Sequence, residues 1–280
     1  MLELVRKRLG EAGLEELAER ILRLARPAVR LRTTKARDEK LPIGSSKIGG
    51  FPDLRRDIDW PTWNEQRLAF LGQLNLSDVQ RFAFCEVLPK QGLLQFFYDR
   101  EQRTWGFDPK DRGSWCVRLE PDLHGLERSF ADSHYPTCRL DAHETMTLPA
   151  WECYDFQQLA ISSHDREEYF RILDEVESTE SDPNPLHQVL GNPSPIQGDM
   201  QSECQLVSNG LYCGGPAGYD NQRAKELVSG AADWQLLFQL DSDDTAEMMW
   251  GDAGRLYFWI TRAALKSRRF GEAWMVLQCG

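Results

Sequence analysis

The chain is 280 residues long, 41% hydrophobic and 28% charged, which is enough to bury a full core without covalent staples. Its formal net charge of −11 at pH 7 excludes broad nucleic-acid binding, because phosphate contacts need clustered lysine and arginine. Seven cysteines (Cys85, Cys116, Cys138, Cys153, Cys204, Cys213, Cys279) form an odd, scattered set without a C-x-x-C pair, so reduced thiols and a cytoplasmic location are expected.

The first residues mix charges with leucines and never become the apolar run of a signal peptide. No window approaches the roughly 18 consecutive apolar residues of a membrane span. Leu9, Leu14, Leu17, Ile21 and Leu24 fall near helical spacing, which predicts an amphipathic helix ended by Pro27. Alternation over Ala28 to Thr34 predicts a half-buried strand, and Gly44 to Pro52 a tight loop leading to Trp60 and Trp63.

Leu68 to Asp78 then reads as an apolar strand and an acidic turn, followed by an aromatic strand from Gly92 to Asp99. Strict alternation would put Leu68, Phe70, Leu74 and Leu76 on one face and Leu71 and Gln73 on the other. Ser77 and Gln80 have the spacing of a capping box, which predicts a short helix between the strands. Turn residues surround Asp108 to Gly113, strands are expected at Trp115 to Leu119 and Thr145 to Pro149, and a helix at His164 to Val176. Glu177 to Pro185 has a linker's composition.

Near the C-terminus, Trp234 to Asp244 followed by Gly251 to Ile260 repeats the order of apolar strand, acidic turn and aromatic strand. Leu236, Phe238 and Leu240 would share one face, with Leu237 and Gln239 opposite, and Asp244 with Glu247 repeats the cap spacing. Gly50-Phe-Pro52 precedes the first copy and Gly191-Asn-Pro193 the second. The separations to Gln73 and Gln239 are about 23 and about 48 positions, so the second copy must carry an insertion. The glycine-bearing stretch Gly198 to Ala231 is expected to be that loop-rich excursion.

These residues imply an α+β fold with an internally duplicated, mostly antiparallel sheet unit. Two related halves (30–185, with an insert, and 186–280) would pack as one globular body behind an N-terminal amphipathic helix (1–29). Ser46 to Pro52, Leu68 to Asn75, Gly92 to Tyr98, His187 to Pro193 and Leu236 to Asp243, through Trp259, together resemble the YwqG-like family, a bacterial group. The resemblance covers about residue 30 to the C-terminus. It implies the duplicated α+β fold and a distant relation to programmed-cell-death-2 proteins, dedicated chaperones of a nascent ribosomal protein. The paired Cys and His residues of the zinc finger in some of those relatives have no counterpart here, and the family supplies no catalytic set.

The candidates without a counterpart in the first copy, Asp241, Asp243 and Trp250, belong to the second. Asp241, Asp243 and Asp244 with Asp252 offer carboxylates for a hard cation or for a basic client, against a plain reading as a cap and solvated acids. Gln73 and Gln239 occupy matching strand positions and must satisfy their amides, by bonding a neighbour or a ligand backbone. Trp60 and Trp250 stand in expected loops, where an aromatic can anchor a partner. Cys213-Gly-Gly-Pro216 presents a thiol with His187 as a conceivable base, a weak pairing outside any recognisable signature.

The expected function is a non-enzymatic protein- or peptide-binding module, chaperone-like or a toxin-immunity protein. Its groove would lie between the halves, rimmed by the acidic loop and by Trp60 or Trp250. No cofactor, metal, nucleic acid or membrane partner is expected. The alternative is a hydrolase or metal-assisted enzyme using Asp241 to Asp244.

Overall fold

The computed structural model describes residues 1–180 and 185–280. Along the chain run α1 (Leu2–Glu11), α2 (Glu15–Leu22), β1 (Arg26–Lys35), β2 (Lys47–Ile48), β3 (Asp53–Leu54), β4 (Thr62–Trp63), β5 (Gln66–Arg67), β6 (Ala69–Asn75), α3 (Leu76–Val79), β7 (Leu93–Tyr98) and β8 (Trp115–Glu120). They are followed by β9 (Glu127–Arg128), β10 (Cys138–Thr147), α4 (Tyr154–Gln157), α5 (Ser163–Glu180), β11 (Gln188–Val189), α6 (Met200–Ser208), α7 (Gln222–Leu227), β12 (Trp234–Asp241), β13 (Arg255–Thr261), α8 (Arg262–Lys266) and β14 (Trp274–Gln278). The protein is therefore α+β.

Ten strands form one sheet in the order β14-β13-β12-β11-β1-β10-β2-β6-β7-β8, and the neighbouring strands pair antiparallel. β1 and β10, joined in register from Arg26↔Thr147 to Lys35↔Cys138, are its spine. The sheet curls until it nearly closes. Near the gap, the Leu277 N–H bonds Trp105 O (3.0 Å), and the Trp274 indole bonds Gly106 O (2.7 Å). Gly106 holds φ at +92°, and a Cβ there would run into Met275 O, so glycine is what lets this segment seal the edge. Inside, Phe96, Phe238 and Phe258 from three strands meet with centroids 4.5 to 6.3 Å apart. Outside, α1, α2, α4 and α5 close a second apolar cluster around Phe156, Tyr169 and Ile172. Among the described residues no helix is long and apolar enough to cross a membrane.

Several local expectations change. The N-terminal helix is two helices broken at Gly13 (φ +74°), and Pro27 lies inside β1 instead of ending a helix. β11 pairs only with Val29 and Arg30, so one side of the strand's start carries no ladder and tolerates a missing N–H. Alternation fails in β6 because a bulge lies between Phe70 and Gly72. Phe70 and Leu68 face the small cluster with Phe97, while Leu71 and Leu74 face the main core.

Asn75, not Ser77, caps α3, its side chain accepting from the Ser77 N–H. Asp244 and Glu247 cap no helix. They lie in a tight turn closed by the Asp243–Met248 bridge, with Glu247 at φ +52°. The stretch 198–231, expected to be loops, contains α6 and α7, capped by Asp199 and Asn221. Of the linker expected at 177–185, residues 177–180 continue α5 instead, and 181–184 lie outside the described residues.

Candidate functional site

The acidic turn is directed inward. Asp241 Oδ2 accepts from the Leu186 N–H (2.8 Å), and its Oδ1 from the Ser242 N–H (3.0 Å) and Arg255 Nε (2.8 Å). Asp243 accepts from the Thr245 N–H (2.7 Å) and meets His187 Nε2 at 3.1 Å. His187 Nδ1 already accepts the Asp241 N–H (3.0 Å), so the ring proton sits on Nε2 and points at Asp243. Burial alone would raise the Asp243 pKa, but the bonds from His187 and Thr33 hold it well below the usual carboxylate range. Of the four aspartates, Asp244 and Asp252 are exposed. Among the described residues no group of three or more His, Cys, Asp or Glu is placed to hold a metal ion. The expected docking rim of Asp241 and Asp243 is thus a buried hydrogen-bonded joint between β11 and the turn after β12.

Gln73 and Gln239 are also turned to the protein's own backbone. Gln73 Oε1 accepts from the Asp53 N–H (3.0 Å) and its Nε2 donates to Ser45 O (3.0 Å) and Asp53 Oδ2 (2.7 Å). Gln239 Oε1 accepts from the Ser194 N–H (2.9 Å) and its Nε2 donates to Leu186 O (2.7 Å). Trp250, expected as an exposed anchor, is 0% exposed, with its indole on Asp241 O (3.1 Å) and Tyr98 and Tyr135 against its ring. Glycine after it makes a turn, but the turn folds the ring into the core. Trp60 is half-buried, bonds Leu68 O (2.8 Å) and carries Arg67 over its ring. It lies beside Phe97 on the outer face of the sheet, so Trp60, Trp250 and the acidic turn do not converge on one groove.

A cleft forms elsewhere, near the seam of the sheet. About 480 Å³ opens where Trp105 and Phe107 on one wall, Val276 to Gln278 of β14 on another, and Glu203 of α6 with Cys213 to Pro216 and Tyr219 come together. α6 is positioned by Asp199, whose carboxylate caps the N–H groups of Gln201 and Ser202 and also receives the Tyr154 N–H. The glycine loop is tied down by the Cys213 N–H on Phe107 O (2.8 Å). Gln278 Oε1 is fully used by the Ile196 and Gln197 N–H groups (2.8 and 3.0 Å).

Glu203 is the unusual group. Among the described residues it has no cation partner, and burial, reinforced by the charge of Asp199 one turn away, pushes its carboxyl up to about 8. Burial likewise raises the Cys213 thiol to about 12 and raises the Tyr219 phenol. Cys213 therefore stays a protonated thiol at neutral pH, and its conceivable base, His187, is committed to Asp243. The cleft offers a proton-bearing carboxyl and aromatic walls, without an activated nucleophile.

Sequence reasoning singled out Cys213 but missed Glu203. A signal was present. Asp199 and Glu203 are four apart on one helix, and no lysine or arginine stands between Arg171 and Arg223 to neutralise them.

No curated protein matches the chain. A family model described as a domain of unknown function, DUF1963, matches residues 46–279, which takes in every strand of the sheet but β1. With that match over most of its length, the chain belongs to the DUF1963 family, to which the YwqG-like group also belongs.

Proposed function

We propose that this protein is a non-enzymatic module that holds a protein or peptide segment in the Glu203 cleft, in a chaperone-like or toxin-immunity role in the cytoplasm. The observation that carries this reading is the cleft itself, open, walled in part by Trp105 and Phe107, and containing a carboxyl that has no cation partner among the described residues. A concave site with Trp105, Phe107 and Tyr219 in its walls and a carboxyl among its polar lining groups suits recognition. The enzymatic alternative at Asp241 to Asp244 has no free carboxylate pair to work with, since Asp241 and Asp243 are bonded inward.

The reading includes a chain of two related halves, 30–185 and 186–280, behind the helical segment 1–29. Outward from the β1–β10 spine the sheet runs β2-β6-β7-β8 on one side and β11-β12-β13-β14 on the other. Bulges fall between Phe70 and Gly72 and between Leu236 and Phe238, each just ahead of its glutamine. Positive φ occurs at Gly49 and Gly50 after β2 and at Leu190 and Gly191 after β11. Lys47 donates to Phe51 O and Gln188 to Asn192 O, the same step along each loop. Chance convergence of all four features is a poorer account than duplication.

Selection of displayed random peptides on the full chain tests the binding reading, with the Gly215→Trp variant as the control. Gly215 lines the cleft in an extended backbone, and a Cβ there meets nothing within 4 Å. The indole would fill the cleft without disturbing the fold. Enriched peptides are expected to bind the variant at least about tenfold more weakly, some 1.4 kcal/mol. Failure to enrich any peptide sinks the reading.

A further inference from the structure

The chemistry of the cleft also narrows what it takes, a step that rests on the binding reading above. A carboxyl without a counter-ion recruits a cation, and aromatic walls favour one carried on an apolar stem. The number of hydrogen-bond donors decides between the two basic side chains. A guanidinium brings five N–H groups into a cleft whose side-chain acceptors are the Glu203 carboxyl and the exposed Gln197 amide, because Gln278 Oε1 already accepts two backbone N–H groups. An ammonium brings three donors and is the easier group to satisfy.

We propose that the Glu203 cleft receives a primary ammonium group, the side chain of a lysine in the bound protein segment, with its methylene stem along Trp105 and Phe107. The groups that face Glu203 are Asp199, Cys204, Cys213 and Tyr219. None of them is a cation, so among the described residues no basic side chain of the cleft competes for the ammonium's place. Free Glu203 keeps its proton at neutral pH and must lose it to pair with the ammonium, so binding releases a proton. Affinity therefore rises with pH until the free carboxyl is ionised, near pH 8.

Calorimetric titration of the full chain with N-acetyl-lysine methylamide, its norleucine analogue, its arginine analogue and cadaverine tests the assignment. Two buffers of different ionisation enthalpy at about pH 7 count the protons released. The lysyl compound is expected to bind at least about tenfold tighter than the norleucine one and to release close to one proton. Glu203→Gln should remove both the proton release and the rise with pH while the variant unfolds no earlier than the parent.

Lysyl and norleucine compounds of equal affinity, or a pH dependence that survives in Glu203→Gln, overturn the proposal. Arginine analogue tighter than the lysyl one overturns the choice of ammonium. Cadaverine tighter than the lysyl compound overturns the protein source in favour of a free diamine. Displayed peptides that depend on Gly215 but carry no lysine defeat this inference and leave the binding reading standing, whereas absence of any enriched peptide defeats the reading itself.

Discussion

Gln73 and Gln239 make the same clasp. Each carboxamide nitrogen holds a backbone carbonyl, Ser45 or Leu186, and each oxygen holds the N–H eight residues further along, Asp53 or Ser194. The loop after β2 and the loop after β11 are pinned by a side chain from the next strand of the sheet. Replacing either glutamine by leucine keeps the volume but strands two buried backbone groups, at about 1–3 kcal/mol for each group left unpaired. Gln73→Leu and Gln239→Leu are each expected to lower stability by about 2–4 kcal/mol in urea denaturation. A loss under about 0.5 kcal/mol in either variant would show that its loop is held by other contacts.

Much of the sheet was legible because alternation and aromatic runs are local signals. Trp115 to Leu119 and the helix over His164 to Val176 lie where spacing places them. Local signals misled where one extra residue changed the parity, as at the bulge in β6 that turns Leu71 and Leu74 to the core. They misled again at the acidic turn. Leu186 and His187, which consume Asp241 and Asp243, lie more than fifty positions away in sequence, so the carboxylates read as solvated. The Glu203 cleft was illegible for a similar reason, since its walls come from 105–107, α6, the glycine loop and β14. Cys213 and its glycine loop marked one wall, and for Glu203 the missing basic residues between Arg171 and Arg223 were the signal.

Trp250 and Asp244 should separate stability from recognition. Trp250→Ala opens a cavity among Tyr98 and Tyr135 and frees Asp241 O, so a loss of about 3–5 kcal/mol is expected. Charge reversal at exposed Asp244 and Asp252 should shift stability by no more than about 0.5 kcal/mol. It should also leave binding of cationic probes unchanged. If the double reversal weakened that binding about tenfold, the acidic turn would be restored as the docking surface.

Lys47 tests how the segment around β2 holds its buried charges. Its ammonium is fully buried, bonded to Asp38 and to Phe51 O, and Arg128 bonds Asp53 at 2.8 Å and reaches Asp38 at 3.4 Å. Two cations thus face two carboxylates. Lys47→Met removes one of the four and leaves Asp38 short of a partner, a change that costs about 3–5 kcal/mol in buried pairs. Lys47→Met with Asp38→Asn should recover part of that loss, read as a non-additive term of about 0.5–3 kcal/mol in the double-mutant cycle. Strict additivity would mean that Arg128 and Thr137 already satisfy Asp38 alone.

Glu203 makes stability depend on pH in a defined direction. Its carboxyl titrates near 8 in the folded protein against an ordinary value of 4.5, so between these values the folded state binds more protons than the unfolded chain. Stability from this group is fully present below about 4.5 and is lost as pH rises through about 8. Glu203→Gln removes the titration. Its stability relative to the parent should therefore climb across that window and level off on either side. The carboxyl is partly exposed in an open cleft, where solvent screens part of the shift, so the climb is expected to be about 1–2 kcal/mol. Urea midpoints for parent and variant at a series of pH values measure it. A difference that stays flat with pH would mean that water already solvates the carboxylate, and with it the reason for an unsatisfied cation site in this cleft would disappear.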